Sequence, residues 1–233
     1  MQKTQPDTRN AILRAIETGV YRDLLPHLIN VELSIGDPIY RPNERMAHAY
    51  FPENGVISVV TYLSDGNCVE TGVIGNEGFS GTEILLGRHR SQREAMVQHA
   101  GSFQKIRMEK FGDIVSKYPS LRSLLFQYLS SFIFQISQNP ACLAYHKVEN
   151  RLARWLLMFH DRAGCDNLKL TQEFIAVMLG VHRPHVSHKA AELQRKGLIK
   201  YSRGNIKIID RPGLELTSCE CYEDIKAAEE LDI

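Results

Sequence analysis

The sequence has no apolar run approaching the roughly 20 residues that cross a bilayer. Its first residues, Met1-Gln2-Lys3-Thr4-Gln5-Pro6-Asp7, lack the apolar stretch of a secretory signal. The expectation is a cytoplasmic protein with no membrane partner. Tryptophan occurs once and cysteine five times in 233 residues. Cys68, Cys142, Cys165, Cys219 and Cys221 are odd in number and widely spaced, which excludes a disulfide framework and leaves reduced thiols. Cys219-Glu220-Cys221 is tighter than the usual zinc spacing of about two to four intervening residues, and no second Cys or His pair along the chain completes it. Neither a metal nor a cofactor is expected. A nucleophile–base arrangement and a phosphate-cradling Gly-Lys-Ser/Thr loop are also missing, so the chain does not read as an enzyme. Repeats and low-complexity segments are absent.

A large net charge is missing too, since the formal total is +1, but its distribution is uneven. Between His182 and Arg211 stand Arg183, Lys189, Arg195, Lys196, Lys200, Arg203, Lys207 and Arg211 against Glu192 and Asp210, a local +6. From Glu215 onward the balance is −6. A basic patch of this density suits a polyanion, because each neutralised phosphate releases condensed counterions. A solvated surface rich in Lys and Arg is the alternative, and charge alone does not separate the two.

A hydrophobic content of 43% over this length supplies a sizeable core. Asn10 suits an N-cap, and Ile12, Leu13 and Ile16 follow at helical spacing before Gly19 stops the run. From about Val31 to Ile106 come short β-branched runs such as Val56-Ile57-Ser58-Val59-Val60. They are punctuated by Ile35-Gly36-Asp37-Pro38, Pro52-Glu53-Asn54-Gly55, Ser64-Asp65-Gly66-Asn67 and Gly75-Asn76-Glu77-Gly78. That pattern predicts an antiparallel sandwich or barrel. After Pro119 the period turns helical. Leu121, Leu124, Leu125, Tyr128, Phe132, Ile136 and Leu143 form a stripe that is either core or a dimer seam, on a long helix that Pro140 should kink or interrupt. A second helix is predicted from about Lys147 to Arg162, burying Leu152, Trp155, Leu156 and Phe159.

The strongest pattern runs from Leu170 to Leu193. Thr171 suits an N-cap with Gln172 in the first turn, and Phe174, Ile175, Met178 and Leu179 supply a buried stripe. Gly180 fits the tight turn between two helices, and Pro184 fits the first turn of the next, where a missing amide costs nothing. In that second helix Val186, Ala190 and Leu193 share one face, so Pro184, His188, Ala191 and Arg195 point outward. Arg183 and His185 flank the N-terminal turn that a recognition helix presses into the major groove. An arginine there pairs bidentately with guanine, while Ser187, His188 and Lys189 reach base edges or phosphates. Leu198-Ile199-Lys200-Tyr201 and Ile206-Lys207-Ile208-Ile209 read as a hairpin wing with Arg203 at its tip. His182, His185 and His188 have the three-residue spacing of a shared helix face, but His182 falls at the turn and DNA contact accounts for all three.

A strand-rich N-terminal half, a long helix and a winged helix-turn-helix in this order resemble the Crp/Fnr superfamily of transcription regulators. The resemblance covers essentially the whole chain and is strongest in Glu149-Asn150-Arg151-Leu152-Ala153-Arg154-Trp155-Leu156-Leu157 and from Leu170 to Asp210. It implies an α+β fold: an N-terminal antiparallel β-roll (double-stranded β-helix) over 1–118, a dimerisation helix over 119–146, and a C-terminal winged helix-turn-helix over 147–233. It further implies a homodimer on a palindromic operator, with double-stranded DNA and RNA polymerase as partners.

Cyclic-nucleotide-binding members of the superfamily place a Glu on the ribose and an Arg with a neighbouring hydroxyl on the cyclic phosphate. The corresponding residues are Gly81 and Glu83 within Gly78-Phe79-Ser80-Gly81-Thr82-Glu83-Ile84, then Arg93 and Glu94, with Ser137 on the long helix. Glu94 stands where the hydroxyl would be, and a carboxylate repels a phosphate about as strongly as Arg93 attracts it. Redox-sensing members use N-terminal cysteines, whereas the first here is Cys68. A haem regulator would need an axial histidine, for which His48, His89 or His99 could serve. The competing reading is a cyclic-nucleotide-sensing module with a non-DNA output. It requires ligand binding through Arg93 and no sequence-selective retention on DNA.

Overall fold

A computed structural model describes residues 7–230. These pack as two compact units, one combining the chain up to Val59 with Gly72–Ile133 and Glu229 onward, the other combining Val60–Thr71 with Phe134–Ala228.

In the first unit, Asn10 caps α1 (Ala11–Ala15) by accepting from the Leu13 amide at 3.2 Å. Its side-chain amide donates to the carbonyls of Pro52 and Gly78, so one residue both starts the helix and ties it to the sheet. Gly19 does not end this helix as expected. The chain turns extended at Ile16, and Gly19 lies inside α2 (Thr18–Leu24).

The strands then follow in quick succession: β1 (Ile29–Leu33), β2 (Pro38–Tyr40), β3 (His48–Pro52), β4 (Val56–Tyr62), β5 (Cys68–Ile74), β6 (Glu94–His99) and β7 (Gly101–Arg107). They form a sheet of order β1-β7-β3 and a second of order β2-β6-β4-β5, the double-stranded β-helix expected. The β7 pairings are antiparallel on both sides, with Val31 opposite Phe103 and Ala49 opposite Ile106. Phe51, Phe79 and Phe111 meet in the core with ring centroids 5.6 Å apart, Phe111 coming from α3 (Met108–Lys117). Phe79 also packs on Tyr128. Gly78 is obligatory here, because a Cβ would lie 2.1 Å from the Tyr128 ring.

The long helix α4 spans Pro119–Tyr145 without a break, so Pro140 does not interrupt it. Pro140 is exposed, which keeps its ring out of the packed interior. The apolar stripe divides. Leu121, Leu125, Tyr128 and Phe132 are buried within the chain and Leu143 is exposed, while Phe126, Ile133 and Phe134, outside the stripe, are exposed as well. The face available to a partner is therefore offset from the stripe that periodicity singles out.

In the second unit, α5 (Val148–Ala163) buries Leu152, Trp155, Leu156 and Phe159 as expected. Trp155 donates its indole N–H to Glu70 Oε1 at 2.7 Å, anchoring the β4–β5 hairpin tip to this helix. Beyond it lie β8 (Asn167–Lys169), α6 (Gln172–Leu179), α7 (Arg183–Arg195), β9 (Ile199–Ser202), β10 (Asn205–Ile208), α8 (Arg211–Thr217) and α9 (Cys221–Ala228). The wing carries a third strand, in the order β8-β10-β9, that periodicity does not indicate. The acidic C-terminal stretch, legible in the sequence only as charge, holds α8 and α9. Asp210 starts α8 by accepting from the Gly213 amide at 3.0 Å.

Candidate nucleic-acid interface

The expected helix pair forms, and local chemistry explains it. Thr171 Oγ1 accepts from the Phe174 amide at 3.1 Å and opens α6. Gly180 closes α6 with φ +59°, a left-handed conformation that disfavours residues carrying a Cβ. Pro184 sits in the first turn of α7. Val186, Ala190 and Leu193 are buried at 0%, 1% and 0% exposure, which fixes the rotation of α7 about its axis. From α5 the buried Arg151 donates to the Leu179 carbonyl, satisfying one of the carbonyls a helix end leaves open.

That rotation turns Arg183, Pro184, His185 and His188 outward, all exposed, with Ser187 and Lys189 half-buried. Thr171 is exposed and Gln172 half-buried at the start of α6. Arg183 Nε stands 3.9 Å from Glu173 Oε2 with side chains 64% and 72% exposed, a loose pair contributing at most about 1 kcal/mol. It can be exchanged for a base edge at little cost. Lys189 and His188 are held differently. Glu192 takes Lys189 Nζ on one carboxylate oxygen and His188 Nε2 on the other, each at 2.8 Å. The Lys189 hydrogen bond holds the Glu192 carboxyl below its ordinary range. His188 and Lys189 are thus oriented by a carboxylate four and three residues away, respectively. His182 meets His185 edge-on at 6.3 Å rather than joining His188 in a ligand set.

The wing turn has only Arg203 and Gly204 between paired Ser202 and Asn205, with φ +48° and +77°. Positive φ at both positions defines the turn that matches strand twist, and it places Arg203 at the exposed tip. Lys200 and Lys207 lie directly opposite each other on the exposed wing face. Like charges in register destabilise a hairpin unless an anion lies between them, so the pair leaves this wing face strongly electropositive. The sequence placed the two lysines on the wing strands but did not show that they pair in register.

Other cations of the basic run are engaged internally. Lys196 Nζ pairs with Glu149 at 2.5 Å. Arg211 is bound by Asp161 at 2.7 Å, Glu215 at 2.9 Å and the Tyr222 hydroxyl at 2.7 Å. The surface offered to a polyanion is therefore narrower than the +6 count suggests.

In the β-roll, Gly81 adopts φ +89° ahead of a single 3-10 turn carrying Glu83. Glu83 Oε1 accepts from Ser91 Oγ at 2.7 Å and from Arg93 Nη2 at 3.2 Å. The two groups expected to divide between ribose and phosphate thus pair with each other, with side chains 12% and 28% exposed, while the buried Glu83 Oε2 has no hydrogen-bond partner among the described residues. Ser91, which sequence reasoning passed over, orients the carboxylate. Glu94 opens β6, half-buried, and Ser137 is exposed on α4.

One grouping corrects the sequence reading. Cys219 and Cys221 are not unaccompanied, because the fold brings Cys142 of α4 and His146, just past its end, beside them, with all four candidate ligand atoms within 4.8 Å of one another.

Residues 150–217 match the Crp-like helix-turn-helix domain family. Among relatives, the chain is 27% identical over 193 residues to the transcriptional regulator SdrP of Thermus thermophilus, covering 79% of this chain and 92% of that protein. It is 22% identical over 213 residues to the global nitrogen regulator of Synechocystis, covering 86% and 93%. Among solved structures, a Crp/Fnr-family transcriptional regulator from Eubacterium rectale superposes with a TM-score of 0.68 at 18% identity, covering 90% of this chain and 98% of that one. The described helices include none long and apolar enough to cross a membrane. The β-roll, the long helix and the capped helix pair with its wing agree with these matches: residues 150–217 form a Crp-like helix-turn-helix domain, a DNA-binding module, and the rest of the chain has the fold of Crp/Fnr-type regulators.

Proposed function

We propose that the protein is a homodimeric, sequence-specific regulator that binds a palindromic operator in the cytoplasm, with RNA polymerase as the partner through which occupancy alters transcription. In this reading 1–118 is the sensor roll, 119–146 the dimerisation helix and 147–233 the reading domain. The observation that carries it is the outward face of α7, where Arg183, Pro184 and His185 stand exposed at the N-terminal turn, together with the exposed Arg203 at the wing tip. Arg183 reads guanine, while Ser187, His188 and Lys189 contact flanking edges or phosphates. Arg203, Lys200 and Lys207 hold the backbone. Selecting bound fragments from random duplex DNA tests the reading, and a palindrome with half-sites about one helical turn apart is expected. Recovery of unrelated sequences would reject it. In the same assay Arg183→Ala should cost about 1–3 kcal/mol and relax preference at one base pair per half-site.

The second unit's α6–α7 pair supports DNA binding irrespective of any ligand, and the roll supports a reading without a cyclic nucleotide. A nucleotide would have to break the Glu83–Arg93 pair and place its phosphate near Glu94. Isothermal titration with cyclic AMP and with cyclic GMP should therefore show no saturable heat at micromolar concentrations. Saturable heat that disappears in Arg93→Ala would show the roll to be a nucleotide sensor.

A further inference from the structure

Three buried cysteines and one histidine in the second unit have no part in holding DNA. Cys142 lies in the last turn of α4 and His146 one residue past its end, where the His146 amide donates to the Cys142 carbonyl at 3.1 Å and so continues the turn that puts side chains four apart on one face. Cys219 and Cys221 lie where α8 gives way to α9. Cys142 Sγ is 3.6 Å from Cys219 Sγ, and Cys221 Sγ is 3.5 Å from His146 Nδ1. Tetrahedral zinc with its usual bond lengths places two sulfurs about 3.8 Å apart and a sulfur and a nitrogen about 3.6 Å apart. The cysteines are 0%, 6% and 1% exposed, so an ion here would be shielded from water.

The surroundings are those of a ligand set. His146 Nε2 lies 3.2 Å from Glu220 Oε1, so its other nitrogen faces the sulfurs while a carboxylate orients the ring, the carboxylate–histidine arrangement typical of zinc ligands. Gln138 Nε2 donates to Cys221 Sγ at 3.5 Å. A disulfide would need only two of these sulfurs and no oriented imidazole. An iron–sulfur cluster would spread its ligands over a longer span than the 4.8 Å within which all four donors fall.

We propose that Cys142, His146, Cys219 and Cys221 bind one zinc ion as a closed Cys3His site that clamps the end of α4 to the α8–α9 junction. A closed four-ligand site leaves no position for substrate, so its role is structural. The ligands converge only in the folded chain, and metal binding therefore adds to the stability of this unit.

The test uses the full-length protein, purified under reducing conditions without chelator and analysed by inductively coupled plasma mass spectrometry. About one zinc per chain is expected, retained in Cys68→Ser and Cys165→Ser and lost in Cys221→Ser and His146→Ala. Because a cysteine variant can misfold, three further measurements accompany it. Glu220→Gln should stay folded and weaken zinc about 10- to 100-fold in a competition titration. Cobalt exchanged into the native chain should give the absorption of a tetrahedral thiolate complex. Alkylation of Cys142, Cys219 and Cys221 should be slow until a chelator is added. Stoichiometric iron with sulfide, a stable Cys142–Cys219 disulfide in the purified protein, or failure to retain zinc after incubation with it under reducing conditions would each overturn the proposal.

Discussion

Replacing Ile133 with aspartate should yield a folded monomer whose affinity for the full palindrome falls about 10²- to 10⁴-fold, the range by which linked binding exceeds a single contact. On α4, Phe126, Ser130, Ile133, Ser137, Ala141 and Ala144 recur at steps of three and four, and every one of them is exposed. That is the roughly 3.5-residue repeat of a coiled-coil seam. Ile133 is 52% exposed and lies at its centre, and Arg122 stacks over Phe126 at its upper end, with the guanidinium 5.7 Å from the ring centroid. An aspartate there would be desolvated against its twin in a dimer but solvated in a monomer, so the substitution acts on association and leaves the protomer's folding intact. Sedimentation equilibrium should show the halved mass, and melting of the monomer should stay near the parent value. Binding to an isolated half-site should be unchanged. A dimer that persists with full operator affinity would place the two-fold interface elsewhere.

The seam shows how far the sequence could be read. Periodicity identified α4 as apolar on one side, but Leu121, Leu125, Tyr128 and Phe132 are buried within the chain, and the exposed apolar residues are others, such as Phe126 and Ile133. Which apolar face is covered is a tertiary fact. The α6–α7 pair was legible because its signals are local: the Thr171 cap, the left-handed Gly180 and Pro184 in a first turn each act within a few residues. Short β8 escaped notice because a three-residue strand carries no period. The α8 start was hidden because Asp210 registered as charge before it registered as a cap. Cys142 and Cys219 stand 77 positions apart, so no spacing rule could bring them together. The Glu83–Arg93 separation fitted a nucleotide site, yet the same separation lets the two side chains meet directly.

The β4–β5 hairpin tip belongs to the second unit, held there by the Glu70–Trp155 bond and by the Asn139 side-chain amide donating to the Thr71 carbonyl at 2.8 Å. Trp155 is 4% exposed and packs against Phe159 at 5.4 Å between centroids. Trp155→Ala should therefore destabilise this unit by about 3–5 kcal/mol, the range for truncating a buried large aromatic. Trp155→Phe separates the causes, since it keeps most of the apolar area and removes the indole donor from Glu70. Hydrogen bonds to charged groups contribute about 1.5–3 kcal/mol, so this variant should lie between the parent and Trp155→Ala. Glu70→Gln, which retains an acceptor for the indole, should lose less. Urea denaturation followed by circular dichroism measures all three, and loss of midpoint without change in slope would confirm a pure stability effect. The hairpin joins the roll's β4 and β5 to a helix whose Arg151 holds the end of α6. A weakened Trp155–Glu70 link should for that reason also lower operator affinity in Trp155→Phe at temperatures well below its melting point. If Trp155→Phe binds DNA as the parent does while melting earlier, the link is a structural anchor and carries no signal from the roll to the reading helix.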